Sequence, residues 1–393
     1  MKKVKSILFF LIVFVLIFPA LQEDFVLFHP VKLNGYYQKV PDPFPVLSKT
    51  SFTDGSFCKM FNIATEENVS LRPWYIRLNN QIDYSLFSIP HAAKVVVGKN
   101  GQMFTTEYIH GYLGKGFMGK EVIDDKVIKL KKLQDYFWQC KGIFLFVLIP
   151  PDKGSFCPEN IPERFLREKP ALTGRAYFTS RCRPMGINLL DFNPWFMQMK
   201  DTCRYPLFPS TGVHWSEYGA YLAADSMIRY IEAGSKLKLA RMELQGIKVT
   251  SDARHFDDDI NSAMNLIWPA RHEDLAYPDF IFKYDSGYRK PSALFIGDSF
   301  YWALHDQGII RGLFRNNEFW YYDKEVYPET FTKSKPVTDL NLRQSLERLD
   351  IIVLIQVGAG SGNPGGGFID RAYAEYAETI NSVTCTGLGK ENK

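Results

Sequence analysis

The sequence has no C-x-x-C pair, no H-E-x-x-H or related histidine pair, no internal repeat and, beyond residue 21, no apolar run of 18 residues. Each absence excludes a class. Without paired cysteines there is no zinc knuckle and no thioredoxin-type centre, and without a histidine pair there is no zincin-type metal site. Asp257, Asp258 and Asp259 lack EF-hand spacing and its glycine, so they read as a solvated acidic turn. No metal and no cofactor is expected, and no acyl-CoA or nucleotide motif is evident. Neither sign of charge dominates. The formal net charge is +4, and once Lys2, Lys3 and Lys5 are set aside, 44 basic residues face 43 acidic ones. Such a near-neutral body has no electrostatic footprint for nucleic acid. Hydrophobic residues at 46% and charged residues at 23% exclude disordered, collagen-like and polytopic membrane classes. The 393 residues leave room for two or three domains.

What is present begins at the N-terminus. Lys2, Lys3 and Lys5 precede an unbroken apolar run from Ile7 to Leu21. A basic end followed by about 15 apolar residues is a secretory signal or a short single anchor. Residues 1–22 are therefore expected to be a signal peptide or N-terminal membrane anchor. The rest is expected on the far side, periplasmic or otherwise extracytoplasmic, held to the inner membrane through residues 7–21 if that segment is retained. The six cysteines are Cys58, Cys140, Cys157, Cys182, Cys203 and Cys385. An even number in an exported chain permits disulfides, in about 15 connectivities, and buried free thiols read equally well.

Residues 23–92 read as an aromatic, irregular extension, 93–385 as the main domain and 386–393 as a polar tail. In the main domain, Ala93–Val97 predicts a short strand, Gly98–Gly101 a turn, and Lys126–Cys140 a helix. Gly142–Ile149 is a continuous apolar run closed by Pro150 and Pro151, the pattern of a strand buried on both faces. His214–Ile231 predicts an amphipathic helix, Ser292–Ile296 a strand turning at Gly297, and Leu349–Val357 a further two-sided strand entering the glycine-rich stretch Gly358–Gly367. Strands alternating with helices give an α/β fold with a mainly parallel central sheet, whose sites gather at the carboxyl ends of its strands.

Ser299 emerges at one such end, in Gly297-Asp298-Ser299-Phe300. Gly297 permits a tight turn, Ser299 stands where a helix starts, and backbone N–H groups there, with Gly297, can hold an oxyanion. Asp298 and Ser299 read equally well as a helix N-cap pair. A serine nucleophile needs a base. Among seven histidines, His214 stands out at the entry to its helix, with Trp215 beside it, and His305 is the reserve, six residues beyond Ser299. Asp298, Trp215 and His305 are candidate pocket residues. Trp302, Trp320, Tyr321 and Tyr322 either stack on sugars or fill the core.

Five segments in order carry a family likeness. Val95–Phe104, Phe146–Lys153, Thr211–Ala220, Gly297–Phe300 and Asp350–Leu354 resemble blocks of the extracytoplasmic alginate O-acetyltransferases AlgX and AlgJ. The likeness spans roughly residues 70 to 357 and includes the order of the motifs, with the histidine before the serine. It implies an SGNH-hydrolase-like, flavodoxin-like three-layer sandwich with circularly permuted motif order. It also implies Ser299 as acyl-bearing nucleophile, His214 as base, a polysaccharide acceptor, and a membrane-bound O-acyltransferase that supplies acetyl groups. One position departs from the family: its D-x-H-W block has a carboxylate two residues before the histidine, where this chain has Gly212. Asp152, at the end of its strand, is the expected substitute, with Asp201 or the Asp257–Asp259 cluster behind it. A Ser299–His214 dyad, or an inactive domain that only binds or assembles glycan, are the other readings. If water replaces the sugar hydroxyl, the same residues make an acetylesterase.

Overall fold

The computed structural model describes residues 2–25, 31–34, 46–68, 71–315, 318–328, 333–360 and 362–382. These form two units, Met1–Ala93 with Ile260–Ala270, and Lys94–Asp259 with Arg271–Lys393.

In the smaller unit, the expected irregular extension is helical over Lys49–Thr53, Ser56–Asn68 and Arg72–Phe87. Pro73 opens the last of these, where its missing N–H costs nothing. That helix clasps the inserted segment: Arg77 Nη1 donates to Leu266 O (2.8 Å), Asn80 Nδ2 to Met264 O (2.8 Å), and Gln81 Oε1 accepts from Trp268 N (2.9 Å). The sequence pattern places 260–270 in the main domain, whereas in the structure Ile260–Ala270 belongs to the smaller unit. The N-terminal run is a helix, Lys2–Phe25, and no helix among the described residues is long and apolar enough to cross a membrane. The polar tail 386–393 and Cys385 lie outside the described residues. Cys140 is disulfide-bonded, whereas Cys58, Cys157, Cys182 and Cys203 are free.

The larger unit contains strands β1 (Val95–Val97), β2 (Met103–Thr105), β3 (Phe144–Ile149), β4 (Leu189–Asp191), β5 (Arg241–Thr250), β6 (Leu275–Lys283), β7 (Ala293–Gly297), β8 (Phe319–Tyr321), β9 (Glu325–Tyr327), β10 (Lys335–Pro336) and β11 (Ile351–Ile355). Seven make the central sheet, in the order β10-β9-β8-β7-β11-β3-β4. From β8 to β4 every pairing is parallel, and β9 and β10 extend one edge antiparallel. β1 with β2 and β5 with β6 are separate antiparallel pairs.

The apolar runs explain the three layers. Side chains alternate across a strand, so a run with no polar positions needs an apolar layer on each face. Phe144, Phe146 and Leu148 of β3, Phe295 of β7 and Val353 of β11 join the core on one face, with Ala224, Met227 and Ile228 of the helix Glu217–Ser235. Leu145, Val147 and Ile149, with Leu294, Ile296, Ile352 and Leu354, join the other core. There they meet Val127 and Leu130 of the helix Lys120–Tyr136, Phe178 of Gly174–Cys182 and Ala372 of Phe368–Ser382. The fold is an α/β sandwich around a mainly parallel central sheet, as expected. Helix limits differ from the sequence reading. The first begins at Lys120 rather than Lys126, and the second at Glu217, where Ser216 Oγ caps Gly219 N at 3.0 Å, leaving His214 in the preceding loop.

Where β7 ends against β11, only glycine fits. Gly297 has φ +155°, and a Cβ there would stand 1.6 Å from Ile355 O of the neighbouring strand. The Gly297→Ala variant is expected to lose about 10 °C or more in Tm, or to fail to fold, in a thermal melt followed by circular dichroism. An unchanged Tm would contradict this packing.

Candidate functional site

The turn after Gly297 is tied down by Asp298. Its buried carboxylate accepts from Phe300 N (3.1 Å), Val357 N (2.6 Å) and Gln356 Nε2 (3.0 Å), locking the end of β7 to the end of β11. Burial raises the Asp298 carboxyl to about 6, against the backbone N–H groups that hold its charged form. Asp298 is thus a structural clamp, and Ser299 is left projecting at the carboxyl edge of the sheet. Among the described residues the Ser299 N–H has no acceptor, while Gly358 N donates to Pro150 O and Gly360 N to Val357 O. Among the described residues, the Ser299 amide is thus left to face an oxyanion. The Gly358 and Gly360 amides of the glycine-rich stretch are already committed.

His214 reaches Ser299 from a loop 85 residues earlier, with Nε2 2.7 Å from Ser299 Oγ. Lys153 holds that loop. Fully buried, its ammonium donates to Pro209 O (2.6 Å), Ser210 O (2.8 Å) and Gly212 O (2.7 Å), using all three donors. Burial lowers it to about 8. Glu273 takes the amide and the hydroxyl of Ser210 on the same loop. The imidazole itself lies between the rings of Phe256 (5.3 Å) and Phe300 (4.9 Å).

The carboxylate at the far side of this ring is Asp259. Its Oδ2 lies 2.8 Å from His214 Nδ1, and its Oδ1 accepts from Val213 N at 2.9 Å. An ionised carboxylate only accepts, so Nδ1 carries the proton and Nε2 is free to accept from the Ser299 hydroxyl. Asp152, the expected substitute, is not at the ring. It caps the helix Lys153–Phe156, accepting from Ser155 N (2.8 Å) and Ser155 Oγ (2.9 Å). Asp201 is exposed in a turn.

Gly212 explains the displacement. A Cβ there would meet Pro209 Cγ at 2.7 Å, Asp257 O at 2.8 Å and Phe256 O at 3.0 Å. The backbone of 256–257 occupies the space an aspartate side chain would need, and two residues later the same segment delivers Asp259. The signal was present as three consecutive acids. The solvated-turn reading fails for Asp257, which is buried, accepts from Glu217 N (3.2 Å), and is pushed up to about 8 by burial and the nearby Glu217 charge.

The other pocket candidates lie elsewhere. Trp215 is fully buried against Phe300 (5.5 Å), Phe192 and Phe196, so it is core rather than a sugar platform. His305 Nδ1 is 2.9 Å from Asp306 Oδ1 and its ring packs on Tyr301 and Trp302. It is not the base in this arrangement. Trp320 is likewise buried, whereas Tyr322 is 39% exposed.

The relay Ser299–His214–Asp259 has the order of parts that acyl transfer through a serine requires: nucleophile, base, and an acid that orients the base. A family model described as SGNH hydrolase-like domain, acetyltransferase AlgX, matches residues 95–295, just over half the chain. The match takes in His214 and Asp259 and stops four residues short of Ser299. Among solved structures, the O-acetyltransferase domain of Pseudomonas putida AlgJ is 16% identical, with a TM-score of 0.48, covering 74% of this chain and 99% of that one. Pseudomonas aeruginosa AlgX is 15% identical, TM-score 0.45, covering 70% and 67%. Bacillus cereus PatB1 is 10% identical, TM-score 0.43, covering 67% and 96%. No curated protein matches the chain in sequence.

Two predictions follow from this geometry. Asp259→Asn should slow acylation of Ser299 by about 10²–10⁴-fold, while Asp152→Asn, which can still cap its helix, should stay within about threefold. Rapid-quench acylation of both variants checks this, and the reverse ranking would contradict it. Asp257 is bound to a proton in the native state at pH values where the unfolded chain has released it, so its contribution is full below about pH 4 and is lost as pH rises through about 8. Asp257→Asn should therefore leave a melt at pH 4.5 nearly unchanged and be the more stable protein at pH 9. Equal pH slopes for the two proteins would show that Asp257 is not protonated in this way.

Proposed function

Because the chain belongs to the AlgX family of SGNH hydrolase-like acetyltransferases, we propose that it acetylates hydroxyls of an exported polysaccharide through an acetyl-Ser299 intermediate. The observation that carries this reading is the continuous relay, 2.7 Å from Ser299 Oγ to His214 Nε2 and 2.8 Å from Nδ1 to Asp259.

In the first half-reaction His214 Nε2 takes the Ser299 proton as Oγ attacks the carbonyl carbon of an acetyl donor. The tetrahedral oxyanion forms beside the unshared Ser299 N–H, and Asp259 stabilises the imidazolium through Nδ1–H. Collapse expels the donor's leaving group, which receives the proton from Nε2, and leaves acetyl-Ser299. In the second half-reaction a sugar hydroxyl gives its proton to Nε2 and attacks the acetyl carbon. Collapse transfers the acetyl group to the sugar oxygen and returns the proton to Ser299. Asp259 on the ring of His214 supports a catalytic domain over one that only binds or assembles glycan, because the acid missing at Gly212 is supplied from another segment.

The basic start and the apolar run Ile7–Leu21 support export, and with it an acceptor outside the cytoplasm. An acetyl donor would then have to be supplied across the membrane, which is the role assigned to a membrane-bound O-acyltransferase partner.

The purified full-length chain, mixed with p-nitrophenyl acetate, should release a burst of nitrophenol and gain about 42 Da, one acetyl in place of a hydrogen. Both signals should vanish in Ser299→Ala. An adduct that persists in Ser299→Ala, or no burst above that variant, would contradict an acyl-Ser299 enzyme. Adding oligosaccharide acceptors should speed loss of the adduct with acetyl appearing on the sugar; loss to water alone would make the protein an acetylesterase.

A further inference from the structure

The acid of the relay sits on a segment that has to be held from outside itself. Within the larger unit the chain reaches Asp259 only from upstream, because Ile260 already belongs to the smaller unit. That approach is one 3₁₀ turn, His255–Asp258, closed by Asp257 N donating to Arg254 O at 2.9 Å. It opens with His255 at φ +46°. A side chain disfavours this left-handed conformation, which persists only where the surroundings impose it.

The residue that stands over this turn is Tyr277. It belongs to β6 and pairs with Lys248 of β5, so it is carried by a paired strand rather than a loop. The side chain is buried, and its hydroxyl accepts from Arg254 N at 2.9 Å, immediately before the left-handed residue. The same hydroxyl is hydrogen-bonded to the side chain of Asp257. Burial, and after it the Asp257 charge, hold the phenol above its ordinary value, so it keeps the proton that it donates there. The Arg254 guanidinium lies over the Tyr277 ring, 4.4 Å from its centroid. Tyr277 therefore grips the chain on both sides of His255. Two residues beyond Asp257, Asp259 must meet His214 Nδ1 at 2.8 Å and Val213 N at 2.9 Å together, so a shift of the turn disturbs both bonds.

We propose that Tyr277 is a positioning residue of the relay: its hydroxyl pins Arg254 and Asp257, and through that turn it sets Asp259 against the His214 ring. It acts through the chain and not on the substrate. The proposal rests on Ser299, His214 and Asp259 being the working relay, and deepens that reading.

Tyr277→Phe removes the hydroxyl and keeps the ring, so the stacked Arg254 and the core packing remain. The full-length chain is the test material. In proton NMR the His214 Nδ1 proton, shifted downfield by its bond to Asp259, should broaden or vanish in this variant. Rapid-quench acylation of Ser299 by p-nitrophenyl acetate should slow about tenfold, and in an Asp259→Asn background the same change should cost less than about twofold. A residue that only stabilised the fold would lower Tm, leave the resonance in place and cost the same in both backgrounds. If Tyr277→Phe does not fold, Arg254→Pro cuts the same hydrogen bond at an exposed residue with extended backbone, and should reproduce these losses. A resonance retained in the folded variant, an unchanged acylation rate, or equal costs in the two backgrounds would each overturn the proposal. Absence of acylation in the native chain would instead overturn the acetyl-transfer reading, and the resonance would still judge Tyr277.

Discussion

The hydrogen bond from His214 Nδ1 to Asp259 Oδ2 decides the chemistry available to the rest of the site. A carboxylate cannot donate, so the bond places the proton on Nδ1 and makes Nε2 the acceptor for Ser299. Asp259 Oδ1 also takes the Val213 amide, so one carboxylate orients both the imidazole and the backbone entering it. The loop of His214 cannot supply such an acid itself, because carbonyls of Phe256 and Asp257 pass within 3.0 Å of where a Cβ on Gly212 would stand. The glycine and the transferred aspartate are two sides of one packing arrangement: the segment that forbids a side chain at 212 also brings the acid.

Everything else at the site serves to bring two distant chain segments to that bond. Both faces of β3, β7 and β11 are buried, which fixes the sheet rigidly beneath the strand ends. Gly297 allows β7 to lie against Ile355 O, and Asp298 then bridges to Val357, so the serine turn has little freedom. On the histidine side Lys153, from the turn after β3, gathers three carbonyls of the 209–212 loop. A buried ammonium with three acceptors is costly to disturb, since removing any one leaves a charge unsatisfied. Residues separated by 85 positions therefore meet at hydrogen-bond distance.

The parallel core was legible because it needs unbroken apolar runs, and Phe144–Ile149 and Ile351–Ile355 are such runs. Ser299 and His214 were legible from a glycine-turn serine and a histidine at a helix entry, reinforced by motif order. Asp259 is not legible because its contact spans 45 residues and no periodicity marks it; three adjacent acids look alike until the fold sets one of them on the His214 ring. The β5–β6 pair went unread for a local reason. Alternation of Met242 and Leu244 with polar neighbours is interrupted by a register shift before Gly246, and Ile247 and Val249 resume it out of phase.

The central claim is that Asp259, and not a carboxylate on the His214 loop or at Asp152, sets the imidazole. Proton NMR of the chain with labelled histidine tests it most directly, because an Nδ1–H held by a carboxylate at 2.8 Å resonates far downfield of an ordinary imidazole proton. His214 should show such a resonance, absent in Asp259→Asn and retained in Asp152→Asn. Survival of the signal in Asp259→Asn, or its loss in Asp152→Asn with the fold intact, would contradict it.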